Sequence, residues 1–166
     1  MIEADVCIRP AAQADTARML QILNPIIRHG KLTSMATEWT VQQQQQFVKT
    51  FPPGGSLLVA EAIGSGQLLG MQDLQPQADG SSAAISTFVR LDHHRLGIGR
   101  RLMQRSLQFA SGRFQTLIAE VRCSNPTAIA FYQRFDFRAD DCSAAPSTDP
   151  FEIIRLKRHV LHAEER

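Results

Sequence analysis

Cysteine is scarce in this chain. Cys7, Cys123 and Cys142 are the only three in 166 residues, an odd number at scattered positions. They match neither a zinc spacing nor a disulfide framework, which predicts a reducing cytoplasm and no metal. Long apolar runs are missing too. None approaches the about 18 residues that a membrane-spanning helix needs, so no membrane association is expected. Glu3 and Asp5 stand where a secretory signal would carry basic residues. Excess charge is likewise absent: the net value is +2, which gives no reason to expect nucleic acid as a partner. There is no internal repeat, and no linker is long enough to separate domains. Residues 1–166 are therefore expected to form one domain, large enough for a substantial core.

What is present alternates between strand and helix periods. Val6 to Arg9 reads as a first strand ended by Pro10. Ala11 to Arg28 repeats apolar residues at helical spacing through Ala14, Ala17, Leu20, Ile22, Leu23, Ile26 and Ile27. Pro25 is expected to kink or break that helix near its end, and His29-Gly30 to stop it. Lys31 to Trp39 is irregular. Thr40 can cap a second helix through about Phe51, in which the glutamines 42–46 read as a solvated face. Pro52-Pro53-Gly54-Gly55 breaks the chain before three strands: Ser56 to Ala62, Gln67 to Gln75 and Ser82 to Val89. Gly64-Ser65-Gly66 closes a hairpin between the first two. Ile98 to Ser111 is an amphipathic helix with Leu102, Met103, Leu107 and Ala110 inward. Thr116 to Val121 is a buried strand. Asn125 as cap and Pro126 as first helical residue open a short helix to about Phe135. Phe137 begins a last hairpin, with a flexible loop from Asp140 to Pro150 and a return strand from Phe151 to Lys157.

The turn His94-Arg95-Leu96-Gly97-Ile98-Gly99-Arg100-Arg101 sits between an apolar strand and a helix start. A helix leaves its first N–H groups unpaired, and those groups with the dipole attract anions. Gly97 and Gly99 carry no Cβ, so a phosphate can approach the backbone closely. Arginines 90, 95, 100, 101 and 105 surround the turn, with Asp92 the only acid among them. This reads as a cradle for a pyrophosphate, although two glycines beside arginines also suit a plain helix cap. A dinucleotide fingerprint fits less well: Leu102 replaces its third glycine, and the turn falls past the middle of the chain.

A second segment narrows the choice. Ala119-Glu120-Val121-Arg122-Cys123-Ser124-Asn125-Pro126-Thr127-Ala128-Ile129-Ala130-Phe131-Tyr132 resembles the closing half of a GNAT-superfamily acyl-CoA N-acyltransferase. The Gly97/Gly99 turn resembles that superfamily's pyrophosphate loop, [Q/R]-x-x-G-x-[G/A], with His94 departing from the usual Q or R. The resemblance implies an α/β (α+β) fold. Its mixed, mostly antiparallel sheet has about six to seven strands flanked by about four helices, with a splayed parallel strand pair. It implies acetyl-CoA as acyl donor. Arg95, Leu96, Gly97, Ile98, Gly99, Arg100 and Asn125 would hold it, and its pantetheine arm would lie along Thr87, Phe88 and Val89. A backbone N–H near Phe88 or Val89 would polarise the thioester carbonyl.

Acetyl transfer to an amine also needs a proton donor and a proton acceptor. Tyr132, the only tyrosine, lies seven residues after Asn125, where the superfamily places its general acid. A phenol titrates near about 10 and a thiol near about 8.5, so the phenol can donate to a forming thiolate. Position alone equally fits a packing tyrosine. Glu120, twelve residues before Tyr132, resembles the glutamate that ribosomal-protein N-terminal alanine acetyltransferases offer as a base. A strand glutamate can instead pair with a neighbour such as Arg122. Asp73 and His93 are reserve bases. The N-terminal half, with Leu23-Asn24-Pro25, Leu57-Leu58-Val59-Ala60-Glu61 and Ser86-Thr87-Phe88-Val89, resembles phosphinothricin-type acetyltransferases instead. The acceptor is then a small-molecule amine or a peptide N-terminus, and the resemblance also allows a homodimer. Two other functions remain open: a non-catalytic acyl-CoA-binding sensor, and a small nucleotide-binding domain.

Overall fold

The computed structural model describes residues 5–139 and 152–160. Its elements run β1 (Val6–Pro10), α1 (Thr16–His29), α2 (Val41–Lys49), β2 (Ser56–Ala62), β3 (Leu68–Pro76), β4 (Ser82–Val89), α3 (Ile98–Ala110), β5 (Thr116–Arg122), α4 (Pro126–Gln133), β6 (Arg138–Ala139) and β7 (Ile153–His159). Among the described residues there are thus seven strands and four α-helices, within the expected number of each. The strands make one sheet in the order β1-β2-β3-β4-β5-β7-β6. Every pairing is antiparallel except β4 with β5. The loop expected from Asp140 to Pro150, Phe151 at the start of its return strand and Cys142 lie outside the described residues.

Strand alternation decides which helix covers which face. Val59, Leu68 and Met71 bury against α1 through Met19, Ile22, Leu23 and Ile26. Leu58, Ala60 and Leu69 point the other way and bury against α3 through Ile98 and Leu102. Further along the same face, Ile85, Leu117, Ala119 and Val121 pack with Met103, Tyr132 and Phe137. So α1 and α2 lie on one side, α3 and α4 on the other. β3 is buried from Leu68 to Leu74 because it is central and covered on both faces.

Two expectations change. Of the kink or break expected at Pro25, the break does not occur: α1 runs through it to His29 and stops at Gly30. Proline removes the N–H that would bond the Gln21 carbonyl, but Gln21 is exposed and water can serve that oxygen. Nor are the five glutamines one solvated face. Thr40 caps α2 by accepting from Gln43 N, 3.2 Å away. That phase turns Gln44 inward, where it is 1% exposed while its four neighbours stay exposed.

Candidate active site

The parallel pair is short. Ser82, Ala83 and Ala84 face Thr116, Leu117 and Ile118, and there the β4–β5 pairing stops. β4 continues to Val89 on β3 alone, and β5 continues to Arg122 on β7 alone. In an antiparallel ladder, alternate residues turn their N–H and C=O toward the partner strand. Gln77 N donates to Ser82 O at 2.9 Å and Arg90 N donates to Leu69 O at 2.9 Å. Even-numbered residues of β4 therefore bond to β3, and beyond the last parallel pair Thr87 and Val89 turn their backbone groups to the opened gap. Of the two N–H groups expected to serve the carbonyl, that of Val89 faces the gap and that of Phe88 faces β3. The Val89 carbonyl accepts from His94 Nε2 at 3.1 Å. His94 therefore contacts the strand end from the position where Q or R is usual.

The turn after β4 is built for close approach. Arg95 and Gly97 both hold left-handed backbones, φ 65° and 77°. That conformation suits glycine and strains arginine. Gly97 is the N-cap of α3 and offers no side chain to its first N–H groups. Gly99 is already inside the helix, and its role is spatial: a Cβ there would lie 3.1 Å from the Phe131 ring of α4. Ile98, fully buried, anchors the helix start, and Leu96 packs beside it. Arg95 and Arg100 are exposed along the turn. Asp92 accepts from Arg90 Nε at 3.2 Å, and His93 Nδ1 lies 2.8 Å from the same carboxylate. Arg90, then His93, hold the Asp92 carboxyl well below the usual range.

Tyr132 is 5% exposed, its ring edge-on to Phe131 and Phe137 at 5.3 and 5.2 Å. Its hydroxyl donates to Thr87 Oγ1 at 3.1 Å, and Gln72 Nε2 donates to the same oxygen at 2.8 Å. Burial pushes the phenol well above its ordinary value, so it stays protonated across the working pH range. Asn125 caps α4, accepting from Ala128 N at 3.0 Å. Its other end donates to Leu32 O at 3.1 Å, next to two similar bonds, from Ser124 Oγ to Lys31 O at 3.1 Å and from Arg122 Nη1 to Gly30 O at 3.2 Å. Three consecutive carbonyls of the α1–α2 connection are thus clipped to the β5–α4 turn.

A cleft of about 430 Å³ follows the gap and is walled by Thr87, Phe88, Glu120, Asn125 and Tyr132 with residues 32–35. Glu120 points to the α1 side of the sheet. Its partner is not Arg122 but the cross-strand Arg155, whose Nη2 lies 2.7 Å from Oε1. Asp73, opposite Ser86 in register, is 7% exposed. Burial pushes its carboxyl up from 3.8 to about 6, against the pull of hydrogen bonds from Gln75 and Ser86. Ser86 and Phe88 line both the cleft and a side cavity that contains Asp73. His93 lines neither. Among the described residues, no group of three or more His, Cys, Asp or Glu could hold a metal ion, and no helix is long and apolar enough to cross a membrane. Gln72, Arg155 and Gln44 escaped sequence reasoning, because cross-strand register and helix phase bring them in.

The opened parallel pair, the left-handed turn and the capped helix after it define an acyltransferase-type fold. The Acetyltransferase (GNAT) family model matches residues 17–137, and the chain belongs to that family. Among curated proteins none matches by sequence. An N-acetyltransferase from Staphylococcus aureus Mu50 has the same fold, with TM-score 0.81 and 20% identity over 95% of this chain and 100% of that one. A ribosomal-protein-alanine N-acetyltransferase from Brucella melitensis gives 0.79 at 22% identity, covering 92% and 99%. A phosphinothricin acetyltransferase from Sinorhizobium meliloti, solved with AcCoA, gives 0.81 at 15% identity, covering 97% and 92%.

Proposed function

We propose that this chain is a cytoplasmic, acetyl-CoA-dependent N-acetyltransferase that moves the acetyl group to a primary amine by direct attack. The carrying observation is the end of β4–β5 pairing at Ala84, beside the buried Tyr132 hydroxyl. The chain fits the donor in two ways. The gap offers unpaired backbone groups on which an extended pantetheine can bond as an added strand does. The turn at Arg95 to Arg100 offers uncapped N–H groups, a dipole and arginines for a pyrophosphate.

In this reading the Val89 N–H polarises the thioester carbonyl. The amine nitrogen attacks the carbonyl carbon, the C–N bond forms and the C–S bond breaks. The sulfur takes the Tyr132 proton. A carboxylate takes the amine proton, and exchange with water restores both groups. Of the two carboxylates near the cleft, Asp73 suits that acceptance better. Glu120 Oε1 already accepts from Arg155, whereas Asp73 is raised toward neutrality by burial.

Two measurements test this reading. Acetyl-CoA and CoA should raise the melting temperature, and ATP and NAD should not. A shift with nucleotide alone would leave a nucleotide-binding domain. A shift with acetyl-CoA but no thiol release against any amine would leave a sensor. With one confirmed amine, kcat/KM should fall as pH drops through about 6, where Asp73 takes up its proton. Asp73→Asn should lose most activity together with that limb, and Glu120→Gln should keep the limb. The reverse outcome assigns the proton acceptor to Glu120.

A further inference from the structure

A second cavity adjoins the cleft on the α1 side of the sheet. It measures about 140 Å³ and shares Met35, Ser86 and Phe88 with the cleft as a common wall. Its walls are apolar and soft: Met19, Met35, Met71, Trp39 and Phe47, with the two aromatic rings edge-on at 5.6 Å. Methionine and aromatic walls adapt to a flat guest. The volume matches that of an apolar protein cavity of about 150 Å³ that accepts benzene.

Four polar residues interrupt these walls: Ser86, Asp73 and Gln75, whose Nε2 donates to Asp73 Oδ1 at 2.8 Å, and Gln44. Asp73 lies beside Ser86, on the stretch of wall nearest the cleft. Gln44 lies on α2 and is 1% exposed. Its Nε2 is taken up by Met19 Sδ at 3.8 Å, and its Oε1 has no hydrogen-bond partner. A buried acceptor left unpaired is costly, and a guest that donates to it recovers that cost. The orphaned carbonyl therefore calls for a donor inside an otherwise greasy space. A second cationic group would have to enter among three methionines, where it is poorly solvated.

We propose that this cavity holds the acceptor's substituent, and that the acceptor is a primary amine bearing an uncharged aromatic group with a hydrogen-bond donor, such as a 4-hydroxyphenyl. The assignment rests on the acetyltransferase reading: the amine sits near Ser86 and Asp73, and the ring reaches inward toward Gln44.

The probes are ethylamine, phenethylamine, tyramine and spermidine. Trp39 is the chain's only tryptophan and lines the cavity, so its emission reports occupancy without turnover. In the presence of CoA, phenethylamine and tyramine should change that emission, and ethylamine and spermidine should not. In the acetylation assay tyramine should exceed phenethylamine by about tenfold in kcat/KM, the size of one good hydrogen bond. Gln44→Leu should make the two equal. Leu57→Phe, which fills some of the cavity, should abolish the emission change and spare ethylamine turnover. A flat amine profile, a preference for spermidine, or aromatic amines that leave Trp39 unchanged would overturn the proposal. If acetyl-CoA fails to bind and no amine is acetylated, the enzymatic reading falls, and the Trp39 titration still decides the cavity on its own.

Discussion

Tyr132 is a single polar atom on a side chain otherwise surrounded by Phe131, Phe137 and core aliphatics. Its hydroxyl has one partner in the described structure, Thr87 Oγ1. Replacing it with phenylalanine keeps the ring packing and removes only the proton donor. Tyr132→Phe should lower kcat by about 10²-fold under chemistry-limited conditions, the usual size for one acid–base group. CoA affinity, read by titration, should stay within about twofold because the proposed role of the phenol lies in the chemical step rather than in binding. Near-normal turnover would reduce Tyr132 to a packing residue. The position of this tyrosine is legible from its spacing to Asn125. Its support is not. On sequence alone Thr87 reads as a ligand-facing residue, and its hydroxyl here accepts from both Tyr132 and Gln72. Gln72 comes opposite Thr87 through the β3–β4 register, which no local pattern encodes.

Element boundaries followed the local chemistry. β2 and β4 span the expected residues, because Pro-Gly and Asp-Gly turns precede them and short, mostly apolar runs fill them. α4 starts where Asn125 and Pro126 require. α1 outran its proline, because a missing N–H matters little where the freed carbonyl meets water. Asp73 is already a reserve base on sequence, but its burial and that of Gln44 are not legible there, since whether a polar residue is buried depends on elements distant in sequence. Packing between α3 and α4 also changes what Gly99 does. It serves as clearance for the Phe131 ring, besides the clearance proposed for a ligand. Gly99→Val should therefore weaken acetyl-CoA binding and destabilise the fold by about 1–3 kcal/mol, as overpacking does. Denaturant midpoints and an acetyl-CoA titration read the two effects separately. A variant of unchanged stability would mean that α4 moves aside freely.

At the scale of the whole molecule, Asp73 sets a pH dependence. Its carboxyl rises from 3.8 to about 6 on folding, so the folded chain holds that proton more tightly than the unfolded one. The benefit is complete below about pH 4 and is lost as pH climbs through about 6. Above that, carrying the buried charge costs on the order of 2–3 kcal/mol. Asp73→Asn should match the wild type near pH 4 and exceed it by about 2 kcal/mol above pH 7, while losing activity. Such an exchange of stability for function is what a functional buried carboxylate predicts. Denaturation curves across pH check it, and parallel curves would refute it.

The bonds from Arg122, Ser124 and Asn125 all end on main-chain oxygens, those of Gly30, Lys31 and Leu32. Every residue type supplies such an oxygen. These three moorings of the connection that borders the cleft are therefore indifferent to its side chains. Lys31 and Ser34 can be exchanged for others and the segment stays where it is, while Leu32 also packs on the α1 core and Thr33 Oγ1 accepts from Met35 N at 3.3 Å. A family that must meet many amines can rewrite this short stretch, and with it the shape presented to an acceptor, while the tyrosine-bearing helix and the donor cradle stay in place. Directed libraries confined to residues 31 and 34 are accordingly the economical route to a new acceptor.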